Sequence, residues 1–491
     1  MRIPAESFFI DRASPVPLQV QLRRQIISGV TEGRFRAGDR LPSGRRLAEH
    51  LGLARVTVAQ AFAELVSTDY LTSQDRSGHV ISDRIDAPLA APLPVAPGPR
   101  FDWSRQIDGR FAGSERRDRV PDWRQFRFPF VYGQTDPELV DHAAWRDCAV
   151  RALGRREFVA MTSDLYGQDD PELVDYILRH ILPRRGILAR PDQVLLTQGA
   201  QNGLWMAAEI LLGAGRACVV EDPCYPGLRE ILALSPARVV PVAVDAQGLP
   251  PEAIPAGTTA VFTTASHQSP TGSAMPIERR RAFLQSATER GFAVIEDDYE
   301  FEMSFAGAPS PALKAMDGGG AVIYVGSFSK SVFPGLRLGY LVADPAFIAE
   351  ARALRARTLR HPPGVLQRTL VHFLSLGHYD AQLNRMRRAY DGRRRVMAQA
   401  IALHGLEPMP AGVSGGSSFW LSTPRGVDSR ALAQSLRARE VLIEPGAPFF
   451  ATPTQGAGFY RLAYSSIAEA KIPEGIARIA QALRDAVTAR P

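Results

Sequence analysis

Apolar residues in the N-terminal part of the chain recur at helical spacing. Every fourth residue over Leu18–Val30 is apolar, which predicts a helix with one buried stripe. A second helix is predicted to begin after Ser43, whose hydroxyl can cap its first turn. A third is predicted over residues 56–66, followed by short strands at 70–72 and 78–81 that form a hairpin. Three helices and a hairpin describe a winged helix-turn-helix, a fold that inserts one helix into the DNA major groove.

Two motifs in this segment carry a family resemblance. Leu41–Arg45 reads Leu-Pro-Ser-Gly-Arg, and Leu51–Val58 reads Leu-Gly-Leu-Ala-Arg-Val-Thr-Val. Both resemble recurrent motifs of the GntR-type bacterial regulators, so residues 1–86 are interpreted as a winged helix-turn-helix of that type. The resemblance implies that the following residues contact phosphates, base edges or the minor groove: Ser43, Arg45, Arg55, Thr57, Gln60 and Gly78.

One residue departs from this pattern. The family usually has serine where this chain has Ala54, so the third helix is predicted to begin without a side-chain cap, at a cost of about 1 kcal/mol. Apart from the resemblance, a three-helix scaffold with solvated arginines also explains the segment, because acidic residues offset most of its positive charge.

A proline-rich stretch separates this segment from the rest. Five prolines lie among alanines in residues 87–100, a composition that favours extended polyproline II structure over a helix. Residues 87–125 are therefore predicted to form a linker and an irregular arm. The remaining chain, 126–491, is predicted to be a second domain.

Apolar runs in the second domain alternate with helical stretches. Runs typical of buried strands occur at 193–197, 217–220, 259–262 and 293–295, and the stretch 202–212 is helical in pattern. This alternation predicts a parallel or mixed sheet covered by helices on both faces. The expected fold class is multidomain, an α+β winged helix-turn-helix joined to an α/β domain.

The stretch Ser327–Gly339 contains the most informative residue of this domain. It follows the apolar run 321–326, so Lys330 is predicted at the end of a buried strand, where α/β sheets place their chemistry. Lysine is rare in this chain, and the other two, Lys314 and Lys471, lack the flanking serines and glycines. A packed lysine with a lowered pKa can condense with an aldehyde, of which pyridoxal phosphate is the usual one. An exposed loop lysine is the alternative interpretation.

Other residues supply what such a cofactor needs. Its phosphate requires backbone N–H groups at a helix start together with small or basic side chains, which predicts Gly199, Ala200, Gln201, Ser327, Ser329 and Arg337. Its ring needs a flat partner, for which Tyr225 follows a strand. The ring nitrogen needs a carboxylate, which the cluster Glu296–Tyr299 provides at another strand end.

Together these motifs resemble the fold-type I pyridoxal phosphate enzymes of the aspartate aminotransferase class, over most of residues 128–491. The resemblance implies that Lys330 forms the Schiff base and that Tyr225 stacks on the ring. It also implies Asp297 as the partner of the ring nitrogen, with Glu296 and Asp298 competing, and Tyr299 as a donor to the ring oxygen. Arg461 is implied as the arginine that binds an acid group of the ligand.

Two motifs depart from the enzymes. Where they carry Asn-Pro-Thr-Gly, this chain has His267–Gly272 with Ser269 in place of the asparagine, and the arm Tyr166–Pro171 is also altered. If Tyr166 follows the family, it reaches the phosphate bound by a partner subunit, which implies a homodimer. Tyr132–Asp141 and Tyr166–Asp175 are similar in sequence and predict two similar turn-to-helix starts.

The order of winged helix, proline linker and aminotransferase-like domain resembles the MocR/GabR-type regulators. Ser-His-Gln-x-Pro-Thr-Gly and Glu-Asp-Asp-Tyr are typical of them, and Phe8-Phe9 with Leu71–Ser73 and Ser77-Gly78 resembles the taurine-utilisation branch. The resemblance implies a transcription factor that binds operator DNA, holds pyridoxal phosphate, and senses an amino acid or aminosulfonate by external aldimine formation. The alternatives are a true aminotransferase with a DNA-binding appendage, and a winged-helix repressor whose large domain has lost its cofactor.

Composition sets the remaining limits. A net charge of +7 over 491 residues permits contact with polyanions but does not require it. The three cysteines have no metal-ligand spacing and form an odd set, so no metal site is expected and a reducing compartment is favoured. No apolar stretch approaches the ~20 residues of a membrane span and no signal peptide is recognisable, so a cytoplasmic protein is expected.

Overall fold

The structure is a computed structural model that describes residues 1–74, 78–84, 101–109, 111, 120, 122–162, 167–305, 310–409 and 415–488. The chain divides into two units, Met1–Asp108 and Gly109–Pro491. The boundary falls inside the predicted linker and arm, 87–125. Each unit is described by itself.

The first unit contains the three helices and the hairpin that the sequence predicts. Its elements are α1 (Leu18–Thr31), α2 (Gly44–Leu51), α3 (Arg55–Ser67), β1 (Leu71–Gln74) and β2 (Gly78–Ile81). The two strands are antiparallel, with Leu71 opposite Ile81. Leu22 and Ile26 of α1 pack in a buried cluster with Phe62 of α3. The remaining wing-tip residues, 75–77, lie outside the described residues.

Helix caps in this unit follow the local sequence. The Ser43 hydroxyl accepts a hydrogen bond from the backbone N–H of Arg46 at 3.3 Å, and Gly52 ends α2 in the left-handed conformation with φ of 62°. Ala54 precedes α3 and supplies no side-chain cap. The first turn of α3 therefore lacks the hydrogen bond that a serine would give it.

The second unit is built on a seven-stranded sheet. Its helices and strands, in two sets, are α4 (His142–Ala152), α5 (Arg155–Met161), α6 (Pro171–Tyr176), α7 (Ala200–Leu211), α8 (Pro226–Ala233), α9 (Ile277–Arg290), α10 (Pro345–Thr358), α11 (Gly364–Ser375), α12 (His378–Leu403), α13 (Ser429–Arg437) and α14 (Ile472–Thr488), and β3 (Phe128–Pro129), β4 (Val194–Thr197), β5 (Ala217–Asp222), β6 (Arg238–Ala243), β7 (Ala260–Thr263), β8 (Ala293–Asp297), β9 (Val322–Ser327), β10 (Gly339–Val342), β11 (Glu407–Pro408), β12 (Ser418–Ser422), β13 (Val441–Leu442), β14 (Glu444–Pro445) and β15 (Phe459–Ala463). Helix α7 begins two residues before the predicted helical stretch.

The large sheet has the order β4-β10-β9-β8-β7-β5-β6. Strand β10 is antiparallel to both of its neighbours, and the other pairings are parallel. Six strands therefore run in one direction and their carboxyl ends meet at one edge of the sheet. The expected mixed sheet is confirmed.

Side chains from the two faces of this sheet pack into separate clusters. On one face, Val220, Ile295 and Val325 pack with residues of α7 and α8. On the other, Val261 and Val294 pack with residues of α9. Helices on both faces explain why the central strands are apolar at successive positions rather than alternating.

A second, smaller sheet has the order β11-β12-β15-β14, and the short β13 pairs with β3 in parallel. Strand β15 carries Arg461, which lies opposite Trp420 on one side and Glu444 on the other. Within the described parts of the chain, no helix is long and apolar enough to cross a membrane.

Candidate functional site

Four predicted site residues, together with Ser269, lie at the ends of five strands that finish at the same edge of the large sheet. Gly199 follows β4, Tyr225 follows β5, Ser269 follows β7, Asp297 ends β8, and Lys330 follows β9. Because these strands are parallel to one another, their carboxyl ends bring these segments to one edge. The topology thus assembles segments that are more than a hundred residues apart in sequence.

Lys330 lies against an aromatic residue that the sequence did not single out. Its Nζ atom is 4.2 Å from the ring centroid of Tyr132, a distance at which a cation is attracted to a ring face. Gly133 comes next to Tyr132 and has a φ of +80°, and a Cβ atom there would lie 2.9 Å from Nζ. The backbone conformation therefore favours glycine at 133, and a larger residue there would also displace the end of the flexible Lys330 side chain.

The three consecutive carboxylates at the end of β8 have different environments. Glu296 accepts the backbone N–H groups of Leu313 and Lys314 at 2.8 and 3.0 Å. Asp298 accepts from Arg185 Nε at 2.6 Å and from the Tyr324 hydroxyl at 2.9 Å. Both carboxylates therefore accept hydrogen bonds from the protein itself.

Asp297 has a buried Oδ1 atom with no hydrogen-bond partner among the described residues. Asp298 Oδ1 also lacks a partner there, but the other oxygen of Asp298 is bonded to Arg185 and Tyr324. Burial raises the pKa of Asp297 to about 7, the charges of Asp298 and Glu221 add to the rise, and Lys330 opposes it. A buried carboxylate oxygen that lacks a partner among the described residues is suited to a protonated nitrogen of a bound ligand. The sequence left three candidates open, and this arrangement favours Asp297.

Tyr299 lies near the same group of residues. Its ring is 6.4 Å from that of Tyr132, and its hydroxyl donates to the backbone carbonyl of His267 at 2.9 Å. Burial raises the pKa of Tyr299 well above its ordinary value, so the phenol stays protonated at neutral pH. The resemblance implied that this hydroxyl donates to the ring oxygen of the cofactor, whereas in this structure it donates to the carbonyl of His267.

The segment that replaces the aminotransferase asparagine motif is held by a buried glutamate. Glu221 accepts from the hydroxyls of Thr263 and Thr264, each at 2.6 Å, and from Gln268 Nε2 at 3.2 Å. The backbone N–H of Ser269 donates to the Thr264 hydroxyl at 3.1 Å. These contacts fix the loop that carries Ser269.

Four of the predicted phosphate-binding residues lie at or beside the start of α7: Gly199, Ala200, Gln201 and Arg337. Gly199 precedes that helix with φ of 81°, and a Cβ atom there would lie 3.3 Å from the guanidinium of Arg337. A cavity of about 500 Å³ is lined by Gln201, Arg337 and other residues. Ala200 is the first residue of α7, and the backbone N–H of Ser329 donates to the Ser327 hydroxyl at 3.1 Å. A helix start beside an arginine is a chemically suitable phosphate site.

Tyr225 is the residue before α8, and its ring folds over Gly227, where a Cβ atom would lie 2.5 Å from the hydroxyl. Tyr225 follows β5, and in the sheet one strand, β7, lies between β5 and the strand β8 that carries Asp297. Tyr166 lies outside the described residues.

Arg461 is buried and held on several sides. Its guanidinium carbon is 3.9 Å from the ring centroid of Tyr132 and 4.7 Å from that of Phe449. Its Nε atom donates to Glu444 at 2.9 Å. Burial by itself lowers the pKa of Arg461, but Glu444 outweighs this effect and the pKa is raised, so the arginine stays charged.

Sequence reasoning missed three residues of this site: Tyr132, Glu444 and Glu300. Tyr132 lies in the ten-residue similarity that the sequence shows with Tyr166–Asp175, which was the one signal for it. The carboxylate of Glu300 lies 3.5 Å from His267 Nε2, and one of its oxygens is buried without a hydrogen-bond partner among the described residues. Nothing in the local sequence distinguishes Glu300 or Glu444 from a surface glutamate.

The predicted DNA-contacting residues lie at the cap of α2, on α2 and α3, and at the start of β2. Arg45, Arg55 and Gln60 are exposed, Thr57 is half-buried, and Gly78 begins β2 with φ of 91°. Val56 is 71% exposed between two of them, which is unusual for valine and puts an apolar group on the same turn of α3. An apolar side chain of this kind can contact the methyl group of thymine.

Comparisons with known proteins agree with this division of the chain. Residues 18–81 match the bacterial regulatory proteins of the gntR family, and residues 159–479 match aminotransferase class I and II. The HTH-type transcriptional regulator TauR of Rhodobacter capsulatus is 56% identical over 99% of this chain and 100% of its own length. The probable rhizopine catabolism regulatory protein MocR of Rhizobium meliloti is 30% identical over 95% of this chain and 94% of its own.

A solved structure also resembles the large domain. LysN, an alpha-aminoadipate aminotransferase from Thermus thermophilus complexed with N-(5'-phosphopyridoxyl)-L-leucine, has a TM-score of 0.70 and 27% identity, covering 79% of this chain and 100% of LysN. The large domain is therefore an aminotransferase-type domain whose cofactor is pyridoxal phosphate. The chain belongs to the MocR-type, TauR-like HTH transcriptional regulators, in which a gntR-family DNA-binding domain precedes an aminotransferase class I and II domain.

Proposed function

We propose that the large domain of this DNA-binding regulator senses a small acid that carries a primary amine, an amino acid or an aminosulfonate. One observation carries the proposal. Lys330 Nζ and the guanidinium of Arg461 each lie about 4 Å from the centroid of the same Tyr132 ring, so they are at most about 8 Å apart. Lys330 marks an amine-reactive position and Arg461 an acid-binding position. Their separation suits a ligand with a few atoms between its primary amine and its acid group.

The residues at the sheet edge fit pyridoxal phosphate. Lys330 would hold its aldehyde carbon, Asp297 its ring nitrogen, and Gly199 with Arg337 its phosphate. The unpartnered Oδ1 atom of Asp297 supports this assignment, since a protonated ring nitrogen supplies the missing hydrogen bond. When bound, the cofactor supplies an aldehyde that combines reversibly with a primary amine.

Arg461 is assigned to the acid group of the effector. Its guanidinium is buried, charged and already oriented, so it loses little conformational entropy when it binds a carboxylate or sulfonate. Lys330 and the effector amine would compete for the cofactor aldehyde, so the Lys330 side chain would be held differently with and without the effector. The two arrangements of Lys330 and Arg461 would favour different states of the regulator, and a coupling of about 1–3 kcal/mol would suffice to alter DNA binding.

The assembly and location of the regulator are part of the same proposal. Tyr166 is proposed to reach the phosphate in a partner subunit, which makes the regulator a homodimer. A regulator of bacterial transcription meets its operator in the cytoplasm, so we propose that location. Arg45, Arg55, Thr57, Gln60 and Gly78 are proposed as its DNA contacts, and Ser43 as the residue that orients α2 beside them.

A panel experiment tests the sensing role. The full-length protein, loaded with pyridoxal phosphate, is titrated with amino acids and aminosulfonates while its visible absorbance and its affinity for a selected operator duplex are measured. We expect one class of ligand to change both signals in wild type, and neither signal to change in Lys330→Ala.

The alternative is a true aminotransferase with a DNA-binding appendage. Many turnovers with an amino acid and a 2-oxo acid, without any effect on DNA binding, would favour that alternative. Unchanged visible absorbance in Lys330→Ala would instead favour a large domain that acts without the cofactor.

A further inference from the structure

We propose that Glu444 positions Arg461 and restricts the effector to ligands with a single acid group. The inference rests on the sensing role proposed above and deepens it. It comes from the contacts of one carboxylate that the sequence did not mark.

Glu444 joins two parts of the site. It lies on β14 directly opposite Arg461 on β15. One of its oxygens, Oε2, accepts from Arg461 Nε at 2.9 Å and from the backbone N–H of Tyr132 at 3.1 Å. The same carboxylate therefore fixes the arginine and the segment whose ring contacts both Arg461 and Lys330.

These contacts decide which edge of the guanidinium remains for a ligand. The Nε atom is bonded to Glu444, and the rings of Tyr132 and Phe449 lie within 5 Å of the guanidinium carbon. The outer edge, formed by the two terminal nitrogens, is the one suited to a bidentate bond with a carboxylate or sulfonate. Side-chain exposure is 7% for Arg461 and 30% for Glu444, so the Glu444 carboxylate is less shielded from solvent than the arginine that it holds.

The charge balance around Arg461 favours a ligand with one acid group. Glu444 already pairs with Arg461, and Glu300 adds a second carboxylate beside His267. Burial lowers the pKa of His267, so its ring is largely neutral at pH 7 and does not offset Glu300. A second carboxylate on the effector would meet like charges at short range, which costs affinity in a poorly hydrated site.

A further cation lies near His267. Arg394 on α12 lies over the ring of Phe419 at 5.7 Å, and its charge contributes to the lowered pKa of His267. If a second acid group reached Arg394, the regulator would accept dicarboxylic ligands.

The experiment uses full-length protein loaded with pyridoxal phosphate, titrated by calorimetry and by visible absorbance. β-Alanine and 2-aminoethanesulfonate serve as probes with one acid group, and L-aspartate and L-glutamate as probes with two. Wild type is expected to bind at least one of the former about tenfold or more tightly than either of the latter. Glu444→Gln keeps an oxygen that can accept both hydrogen bonds but removes the charge, so we expect it to narrow this preference by about tenfold.

Two further variants complete the design. Glu444→Ala loses the hydrogen bonds as well and is expected to weaken binding of every probe by about tenfold or more. Glu440→Gln removes an exposed charge four residues earlier, where the partner is Arg478 at 3.5 Å, and serves as the matched control with no change in preference. Far-UV circular dichroism and the melting temperature of each variant verify folding.

The outcomes are distinguishable. Wild type that binds two-acid probes as tightly as one-acid probes, or Glu444→Gln with an unaltered preference, would overturn the role of Glu444. Binding of a probe that is equally tight in wild type and in Arg461→Ala would overturn the sensing proposal itself.

Discussion

Substitutions of the two adjacent aspartates at the end of β8, Asp297 and Asp298, are expected to change stability in opposite directions. Asp297 is buried, and its Oδ1 atom has no hydrogen-bond partner among the described residues. Asp298 pairs with Arg185, and both side chains are 1% exposed. Replacing Asp297 by asparagine should stabilise the cofactor-free fold, whereas the same change at Asp298 should destabilise it.

The magnitude follows from the pKa of Asp297, which burial above all raises from 3.8 to about 7. Since one pKa unit corresponds to about 1.4 kcal/mol, the ionised carboxylate costs the fold up to about 4 kcal/mol at neutral pH. The folded state binds the proton more tightly, so this cost is absent below about pH 4 and grows until about pH 7. Asp298→Asn should cost about 3–5 kcal/mol, because it leaves the buried charge of Arg185 without its partner.

Calorimetric melting of the cofactor-free proteins between pH 5 and pH 7.5 measures both effects. We expect Asp297→Asn to melt above wild type, with a difference of under about 2 kcal/mol at pH 5 that rises to about 4 kcal/mol at pH 7. Added pyridoxal phosphate should stabilise wild type more than Asp297→Asn, because the ring nitrogen pairs with the carboxylate. Coincident melting of wild type and Asp297→Asn across this pH range would refute the reasoning.

Three other predictions follow from local geometry. Arg55→Ala should weaken operator binding and lower the magnitude of the slope of log affinity against log salt by about 1. The control is Arg34→Ala, which removes an exposed arginine paired with Glu32 and should leave both the affinity and the slope unchanged. Equal slopes for the two variants would contradict the proposed DNA contact of Arg55. Ala54→Ser should supply the missing cap of α3, worth about 1 kcal/mol, and slow amide hydrogen exchange in its first turn about fivefold; unchanged exchange would show that the cap does not form. Gly199→Ala should weaken retention of pyridoxal phosphate in equilibrium dialysis by about tenfold, because φ is 81° and the new methyl group would press on Arg337. The control is Gly213→Ala, whose methyl group would meet no atom within 4 Å. Equal retention by the two variants would refute the proposed phosphate site at Gly199 and Arg337.

The carboxylate cluster shows where sequence information stops. Glu296, Asp297 and Asp298 are chemically similar and adjacent, so their order in the chain cannot assign the ring-nitrogen partner. Distant residues make the distinction, since Arg185 pairs with Asp298 and the backbone at 313–314 binds Glu296. These partners come from segments that approach β8 only when the sheet forms.

Sequence alone determined the local properties of this protein. The spacing of apolar residues predicted the winged helix and the alternating strands and helices, because periodicity reflects the face that an element buries. The motifs around Lys330 and Leu41–Arg45 identified the cofactor class and the DNA-binding class, because that chemistry needs particular residues in a short stretch.

Tertiary structure alone decided which polar groups meet. The contacts of Tyr132 with Lys330 and Arg461, and of Glu444 with Arg461, join residues between 17 and 329 positions apart. Such contacts leave no local pattern, because burial and pairing depend on how the strands are ordered in the sheets. The proposed limit on the number of acid groups in the effector rests on those contacts.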